Sequence, residues 1–303
     1  MRISVDTGNK QIKTPHCIFP AGLMEHDRKP EFGTDVLAYN GKYYTITNKR
    51  IPYMRDKTQD DRYFILTLFA IGYELQSQGI EGSDEILAID LLCGLPPAHF
   101  GSLSSAYETY FSRGVIDFSL NGQVFHIMIC KVSVFPQAMA IIARQLKIIQ
   151  SHSHVLVIDI GGYTVDVLQV INGQLDLSVC DSLEYGTIKF YNKVISEINS
   201  RYDMMLDETY IDAVFLDPQH CSLKEPIRNR ILQMAQDYVN DFLNHLREQG
   251  FLLKSNYVIF AGGGSVLFSS FIQQSRELDE YTILDDVAAN AAGYEILAQI
   301  SES

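Results

Sequence analysis

One short pattern occurs twice in this chain, about half a chain apart. Val5-Asp6-Thr7-Gly8-Asn9-Lys10 and Ile158-Asp159-Ile160-Gly161-Gly162-Tyr163-Thr164 each end an apolar strand on an aspartate, with a glycine two residues later. Two such half-sites imply two similar lobes, and 303 residues suit two lobes of roughly 150 residues better than one core. A strand that runs through Asp-x-Gly into a tight turn exposes successive backbone N–H groups, and glycine lets a ligand approach them closely. The repeated unit is therefore read as a phosphate cradle built twice.

The surrounding elements follow from periodicity and turn chemistry. Asn40-Gly41, Asn121-Gly122 and Asn172-Gly173 lie between alternating runs and predict three hairpins, because this dipeptide supplies the positive φ angles of a tight turn. VLVIDI, YTVDVLQVI and QLDLSV predict a meander whose first strand, apolar on both faces over Val155–Ile158, is central. Asp60 and Asp61 are read as caps of a buried helix over Tyr63–Gln78 that stops at Gly79. Pro136 suits the first turn of a helix through QAMAIIARQLKIIQ, and Asp285 or Asp286 the start of a last helix, VAANAAGYEILAQI, whose small residues permit close approach by a neighbour. Residues 187–253 read as mainly helical apart from an irregular piece near Pro218.

Composition excludes several classes. Hydrophobic residues at 47% and charged residues at 20% match a globular protein, and no apolar run reaches the length of a membrane span. The opening MRISVDTGNK enters a strand at once, so no export signal is expected. Five scattered cysteines without a CxxC predict reduced thiols in a cytoplasmic protein. A net charge of −13 repels a phosphate backbone, so nucleic acid is expected only through an adaptor, and no membrane partner is expected.

Asp6 and Asp159 suit Mg²⁺, which keeps several waters and takes one or two carboxylates; the alternative is that each bonds only its own turn amides. Lys10 adds a positive charge over the phosphates. Tyr257–Ser265, YVIFAGGGS, runs an apolar strand into Gly262, Gly263 and Gly264, bare backbone that could lie against a flat nucleoside, with Ser265 as a helix cap. There is no GxxxxGK[ST] and no GxGxxG. Ser151–His154 contains two histidines in a polar turn with no further ligand nearby and is not read as a metal site.

Together these segments resemble the actin, Hsp70 and sugar-kinase superfamily, and within it the plasmid-segregating bacterial actins of the ParM or StbA type. VDTGNKQIK is similar to the first phosphate motif, VIDIGGYTVDV to the second and VIFAGGGSVL to the adenosine motif; VFPQAMA and VAANAAGYEI resemble the two connecting segments. LLCGLPPAHF and FPAGLMEHD add further likeness. The resemblance implies an α/β, two-lobed actin-like fold, each lobe a ribonuclease H-like mixed sheet flanked by helices. Lobe I would span 1–150 with a small subdomain at about 21–80 and return with helix 285–303; lobe II would span 151–284 with a mainly helical subdomain at about 190–250.

The resemblance further implies ATP and Mg²⁺ held between the lobes, with GTP as the alternative nucleotide, and assembly into filaments. By motif position Asp6 and Asp159 would order Mg²⁺ through water, and Thr7, Gly8, Asn9, Lys10, Gly161, Gly162, Tyr163 and Thr164 would hold phosphates. Gly262, Gly263 and Gly264 would pass the nucleoside, and Gly186 would start the helix near the ribose. Gln137 stands where these segregating actins usually carry glutamate; an amide orients a water but accepts a proton less readily, so slow hydrolysis is expected. Its other reading is a helix cap. The rival functions are a monomeric phosphotransferase of the sugar-kinase branch and a non-hydrolysing scaffold; an Hsp70 chaperone is disfavoured because the sequence ends soon after its last connecting helix.

Overall fold

The computed structural model describes residues 1–31, 35–82 and 85–302. The chain divides into two compact units, Met1–Leu146 with Ala288–Ser303, and Lys147–Val287. Ser303, the last residue of the expected returning helix, lies outside the described residues.

The first unit opens with an antiparallel meander, β1 (Arg2–Thr7), β2 (Gln11–Lys13) and β3 (Ile18–Pro20), followed by β4 (Leu23–His26), β5 (Val36–Tyr39) and β6 (Lys42–Ile46). Then come α1 (Arg62–Ser77), β7 (Ile86–Leu95), α2 (Pro97–Phe111), β8 (Val115–Leu120), β9 (Gln123–Pro136) and α3 (Met139–Arg144). The strands form one sheet in the order β3-β2-β1-β7-β9-β8-β5-β6-β4. β1 lies inside it because Ile3 and Val5 are buried on one face while Ser4 and Asp6 are buried on the other.

The second unit contains α4 (Leu146–Ser151), β10 (His154–Ile160), β11 (Val165–Ile171), β12 (Gln174–Leu183), α5 (Thr187–Tyr202), α6 (Glu208–Leu216) and α7 (Glu225–Glu248). β13 (Tyr257–Ala261), α8 (Gly262–Leu267), α9 (Ser269–Gln273) and β14 (Tyr281–Ile283) complete it, and α10 (Ala289–Glu302) belongs to the first unit. Its sheet runs β12-β11-β10-β13-β14, with β10 central as its two-faced apolar pattern predicts.

The two sheets share one arrangement. β3-β2-β1-β7-β9 and β12-β11-β10-β13-β14 each pair antiparallel, antiparallel, parallel, parallel, so each unit has a mixed sheet, as the resemblance implies. In each, the repeated Asp-x-Gly follows the middle strand into its antiparallel neighbour.

The three Asn-Gly turns form as expected, with φ of 50° and 75° at Asn40 and Gly41, 56° and 87° at Asn121 and Gly122, and 50° and 79° at Asn172 and Gly173. α1 is apolar nearly all round and is buried from Tyr63 through Gly72. Its cap differs from the expectation: Asp60 accepts the Arg62 N–H at 3.0 Å, but Asp61 makes no side-chain cap bond. The Tyr110 hydroxyl of α2 serves instead, accepting the Phe64 N–H at 2.7 Å and donating to the Asp60 carbonyl at 2.8 Å.

Other local expectations are corrected. Pro136 ends β9 rather than beginning a helix, since its partner Leu95 extends the ladder that far, and α3 starts only at Met139. The long helix expected after it is broken between α3 and α4. The last helix begins at Ala289, beyond Asp285 and Asp286. Its small residues do admit a neighbour: a Cβ on Gly293 would lie 2.7 Å from the Ala140 carbonyl carbon of α3. Tyr294 stacks on Phe135, with ring centroids 5.9 Å apart, and packs with Leu92, Ala140 and Ala298.

Candidate functional site

The first half-site is the turn after β1. Asp6 and Thr7 are 3% and 1% exposed, so the aspartate leaves water at the strand end and must be matched by polar partners. Gln137 Nε2 donates to Asp6 Oδ1 at 3.0 Å, and Lys13, opposite Asp6 across the β1–β2 ladder, brings its Nζ to 3.9 Å from Oδ2. Gly8 is required by packing, because a Cβ there would meet the Gln11 carbonyl oxygen at 2.5 Å. The Lys10 carbonyl accepts from Ala21 N–H at 2.9 Å and the Asn9 side chain from the Tyr63 hydroxyl at 3.3 Å.

A buried lysine underlies this turn. Lys57 is 7% exposed, donates to the Thr7 carbonyl, and lies 4.7 Å from the centre of the Tyr63 ring. Burial pulls its pKa down to about 8, and the nearby Asp6 charge opposes that shift. Burial, followed by Arg55 and Lys57, lowers the pKa of His99 in the first turn of α2. Lys13 and Lys57 thus both lie close to the Asp6 carboxylate.

Gln137 is held by its backbone on both sides. Its N–H donates to Leu95 at 2.8 Å and its carbonyl accepts from Met139 at 2.8 Å. Ala138 takes φ of 64°, a left-handed conformation costly for alanine, and its N–H donates to Asn290 of α10 at 3.0 Å. The Gln137 side chain reaches Asp6 instead of capping α3, whose N-cap residue makes no side-chain cap bond. With Nε2 turned to the carboxylate, Oε1 is the group left to accept from a water.

The second half-site is the turn after β10, built on the N-terminus of α5. Thr187, Ile188 and Gly186 donate their N–H groups to the carbonyls of Gly161, Gly162 and Tyr163 at 3.0, 2.8 and 2.9 Å. In a trans peptide the N–H points opposite to the C=O, and the described chain has no cis peptides. The N–H groups of Gly162, Tyr163 and Thr164 therefore all point away from α5, as a cluster of donors suited to an anion. Gly186 must lack a side chain because a Cβ would lie 2.5 Å from the Gly162 carbonyl carbon.

Asp159, 5% exposed, stands opposite Asp166, 2% exposed, in the β10–β11 register. Gly262 follows β13 onto the same strand end with φ of 83°, where a Cβ would overlap Asp159 Oδ1 and lie 2.7 Å from the Ile160 carbonyl. A Cβ on Gly264 would press on Thr187 Cγ2 at 2.8 Å. Two of the three glycines expected to pass a nucleoside thus have a packing reason of their own. Ser265 lies inside α8 and donates to the Ala261 carbonyl; it is not the cap.

The structure thus brings Asp6, Thr7, Gly8, Asn9, Lys10 and Gln137 together at one corner, and Asp159, Gly161, Gly162, Tyr163, Thr164, Gly186, Gly262, Gly263 and Gly264 at another. Sequence reasoning missed Lys13, Lys57, Ala138 and Asn290. The Asp6–Lys13 pairing was open to inference from the hairpin register; the other three carry no local signal. Among the described residues no group of three or more His, Cys, Asp or Glu side chains is arranged to hold a metal, and His152 stacks on Tyr257 at 4.1 Å. No helix of the described residues is long and apolar enough to cross a membrane.

A family model for the C-terminal part of archaeal MreB-like actin homologues matches residues 157–274, which include most of the second half-site. No curated protein sequence matches the chain at significance. Among solved structures, the archaeal actin homologue Ta0583 is similar with TM-score 0.76 at 18% identity, covering 99% of each chain, and its ADP complex with TM-score 0.72 at 17% identity, covering 99% of each. A ParM from a 15-stranded Clostridium botulinum filament has TM-score 0.76 at 16% identity, covering 99% of each chain. Bacillus thuringiensis ParM with ATP has TM-score 0.66 at 13% identity, covering 99% of this chain and 98% of that one. The duplicated sheet with an aspartate at each middle-strand end, and these likenesses, make the chain an actin-fold protein that resembles ParM proteins and archaeal actin homologues.

Proposed function

We propose that this chain binds ATP with Mg²⁺ through its two half-sites, hydrolyses it slowly, and assembles into filaments that position plasmid or other DNA through an adaptor protein in the cytoplasm. The observation that carries the reading is the duplicated strand-end aspartate, buried in each unit beside a glycine turn. GTP is the alternative nucleotide. An ADP complex of Ta0583, an ATP-bound ParM and a ParM filament among the similar structures support it.

The residues fit Mg²⁺. It needs only one or two carboxylates besides phosphate and water, and each half-site offers one buried aspartate at its strand end, Asp6 and Asp159. Asp6 and Asp159 would hold it through water, and when bound it would neutralise charge on the phosphates. Thr7, Gly8, Asn9 and Lys10, and the outward N–H groups of Gly162, Tyr163 and Thr164, would orient the phosphate chain. Gly161 sets the second turn by donating to Thr164 at 2.9 Å. Gly186, Gly262, Gly263 and Gly264 would border the nucleoside. Gln137, its amide fixed by Asp6, would present Oε1 to the attacking water and so position it.

The test is calorimetric titration of wild type and Asp159→Ala with ATP, with and without Mg²⁺, beside phosphate release and pelleting. Wild type is expected to bind only with Mg²⁺, release phosphate and pellet with nucleotide. The variant should bind at least about tenfold more weakly, the loss of one charge-assisted contact. Wild-type affinity and phosphate release in Asp159→Ala would sink the site assignment.

A further inference from the structure

The turn that carries Gln137 is strained, and it is held from outside. The Met139 N–H donates to the Gln137 carbonyl two residues back at 2.8 Å, and Ala138 between them has φ of 64° and ψ of −32°. This is a γ-turn of the rare form, a conformation that costs free energy for any residue with a side chain. Glycine would adopt it freely, along with many others; alanine, fully buried here, leaves the turn little room to vary.

The clamp comes from α10 and β7. The Ala138 N–H donates to the side-chain carbonyl of Asn290, the second residue of α10 and itself buried, at 3.0 Å. Gly293 and Tyr294, three and four residues on, share that face of the helix. Gly293 lies against the Ala140 carbonyl of α3, and the Tyr294 hydroxyl fills the space where a Cβ on Gly94 would lie. The next residue of β7, Leu95, accepts the Gln137 N–H at 2.8 Å. The backbone is thus fixed on both sides of Gln137, all within the first unit, while its side chain reaches Asp6 Oδ1 at 3.0 Å.

Packing alone would be served at least as well by an apolar side chain at position 290, because a buried amide needs partners. We propose that Asn290 is a positioning residue for Gln137: by holding the Ala138 N–H it locks the strained turn in the geometry that points the Gln137 amide at Asp6 and its Oε1 at the attacking water. This rests on the hydrolysis reading above. Strain of this kind persists only where the surroundings over-determine it, and a misplacement of about 1 Å can slow a reaction about a hundredfold.

The experiment uses the full chain as wild type, Asn290→Leu, Ala138→Gly and Gln137→Ala, and each of the first two substitutions combined with Gln137→Ala. It measures Mg²⁺-ATP affinity by calorimetry, phosphate release at saturating Mg²⁺-ATP and equal filament mass, and the thermal midpoint. Asn290→Leu keeps the size of the side chain and removes the acceptor. Its ATP affinity should stay within about twofold of wild type while phosphate release slows by at least about fivefold. Ala138→Gly relieves the strain, so it should keep or raise the midpoint and still slow phosphate release at unchanged affinity, a combination that a purely structural role does not produce. Neither substitution should slow release further once Gln137 is alanine, because residues that act through one group are not additive. The proposal is overturned if Asn290→Leu or Ala138→Gly keeps the wild-type rate beside a slow Gln137→Ala, if Asn290→Leu loses affinity and rate together, or if its effect persists undiminished beside Gln137→Ala. Should Asn290→Leu fail to fold, Ala138→Gly decides by the same criteria. A wild type that releases no phosphate, or a Gln137→Ala variant with the wild-type rate, fails the hydrolysis reading itself, and this proposal with it.

Discussion

Replacing Gly262 by alanine separates two reasons for a glycine at the second half-site. The residue has φ of 83°, and an added Cβ would overlap Asp159 Oδ1 and sit 2.7 Å from the Ile160 carbonyl. The backbone term for alanine in the left-handed region is about 1–2 kcal/mol. Overpacking against a strand end adds about 1–3 kcal/mol. Gly262→Ala should therefore cost about 2–5 kcal/mol. Gly250, in the same unit, provides the control: its φ is 92° and a Cβ would meet nothing within 4 Å. Gly250→Ala should cost the backbone term alone, about 1–2 kcal/mol. Urea unfolding followed by circular dichroism reads both, and the difference isolates the contact with Asp159. Mg²⁺-ATP affinity should fall in Gly262→Ala, because the carboxylate must move, and should persist in Gly250→Ala. Equal destabilisation by the two substitutions would refute the packing argument.

Gln137→Ala should keep ATP affinity while phosphate release slows by at least about tenfold, the low end of a positioning or general-base contribution; an unchanged rate at equal filament mass would remove Gln137 from the chemistry. Tyr110→Phe deletes only the hydroxyl that joins Phe64 N–H and the Asp60 carbonyl. It should cost about 1–3 kcal/mol and speed hydrogen exchange in the first turn of α1, and unchanged exchange there would show that the turn is capped otherwise.

Much of the architecture is legible locally. The three Asn-Gly hairpins, the central β10, the buried α1 and the two Asp-x-Gly turns depend on φ preferences and alternation over a few residues, which any stretch of sequence displays by itself. The position of Asp6 and Asp159 at strand ends belongs to the same class.

Tertiary structure decided the partners. Gln137 meets Asp6 across 131 residues, Asn290 holds Ala138 across 152, and Lys57 reaches Thr7 across 50. None has a periodicity, because such contacts arise only after β9 has been laid beside β7, and β7 beside β1. Local signals also misled where tertiary packing supplied a better solution. Pro136 was kept in the ladder by Leu95, and the cap expected from Asp61 came from Tyr110 on another helix. The sequence alone determined where the chain turns and which carboxylates end its strands; which side chains surround those carboxylates was decided by strand order, since burial forces each charge to find partners from whatever elements the fold places beside it.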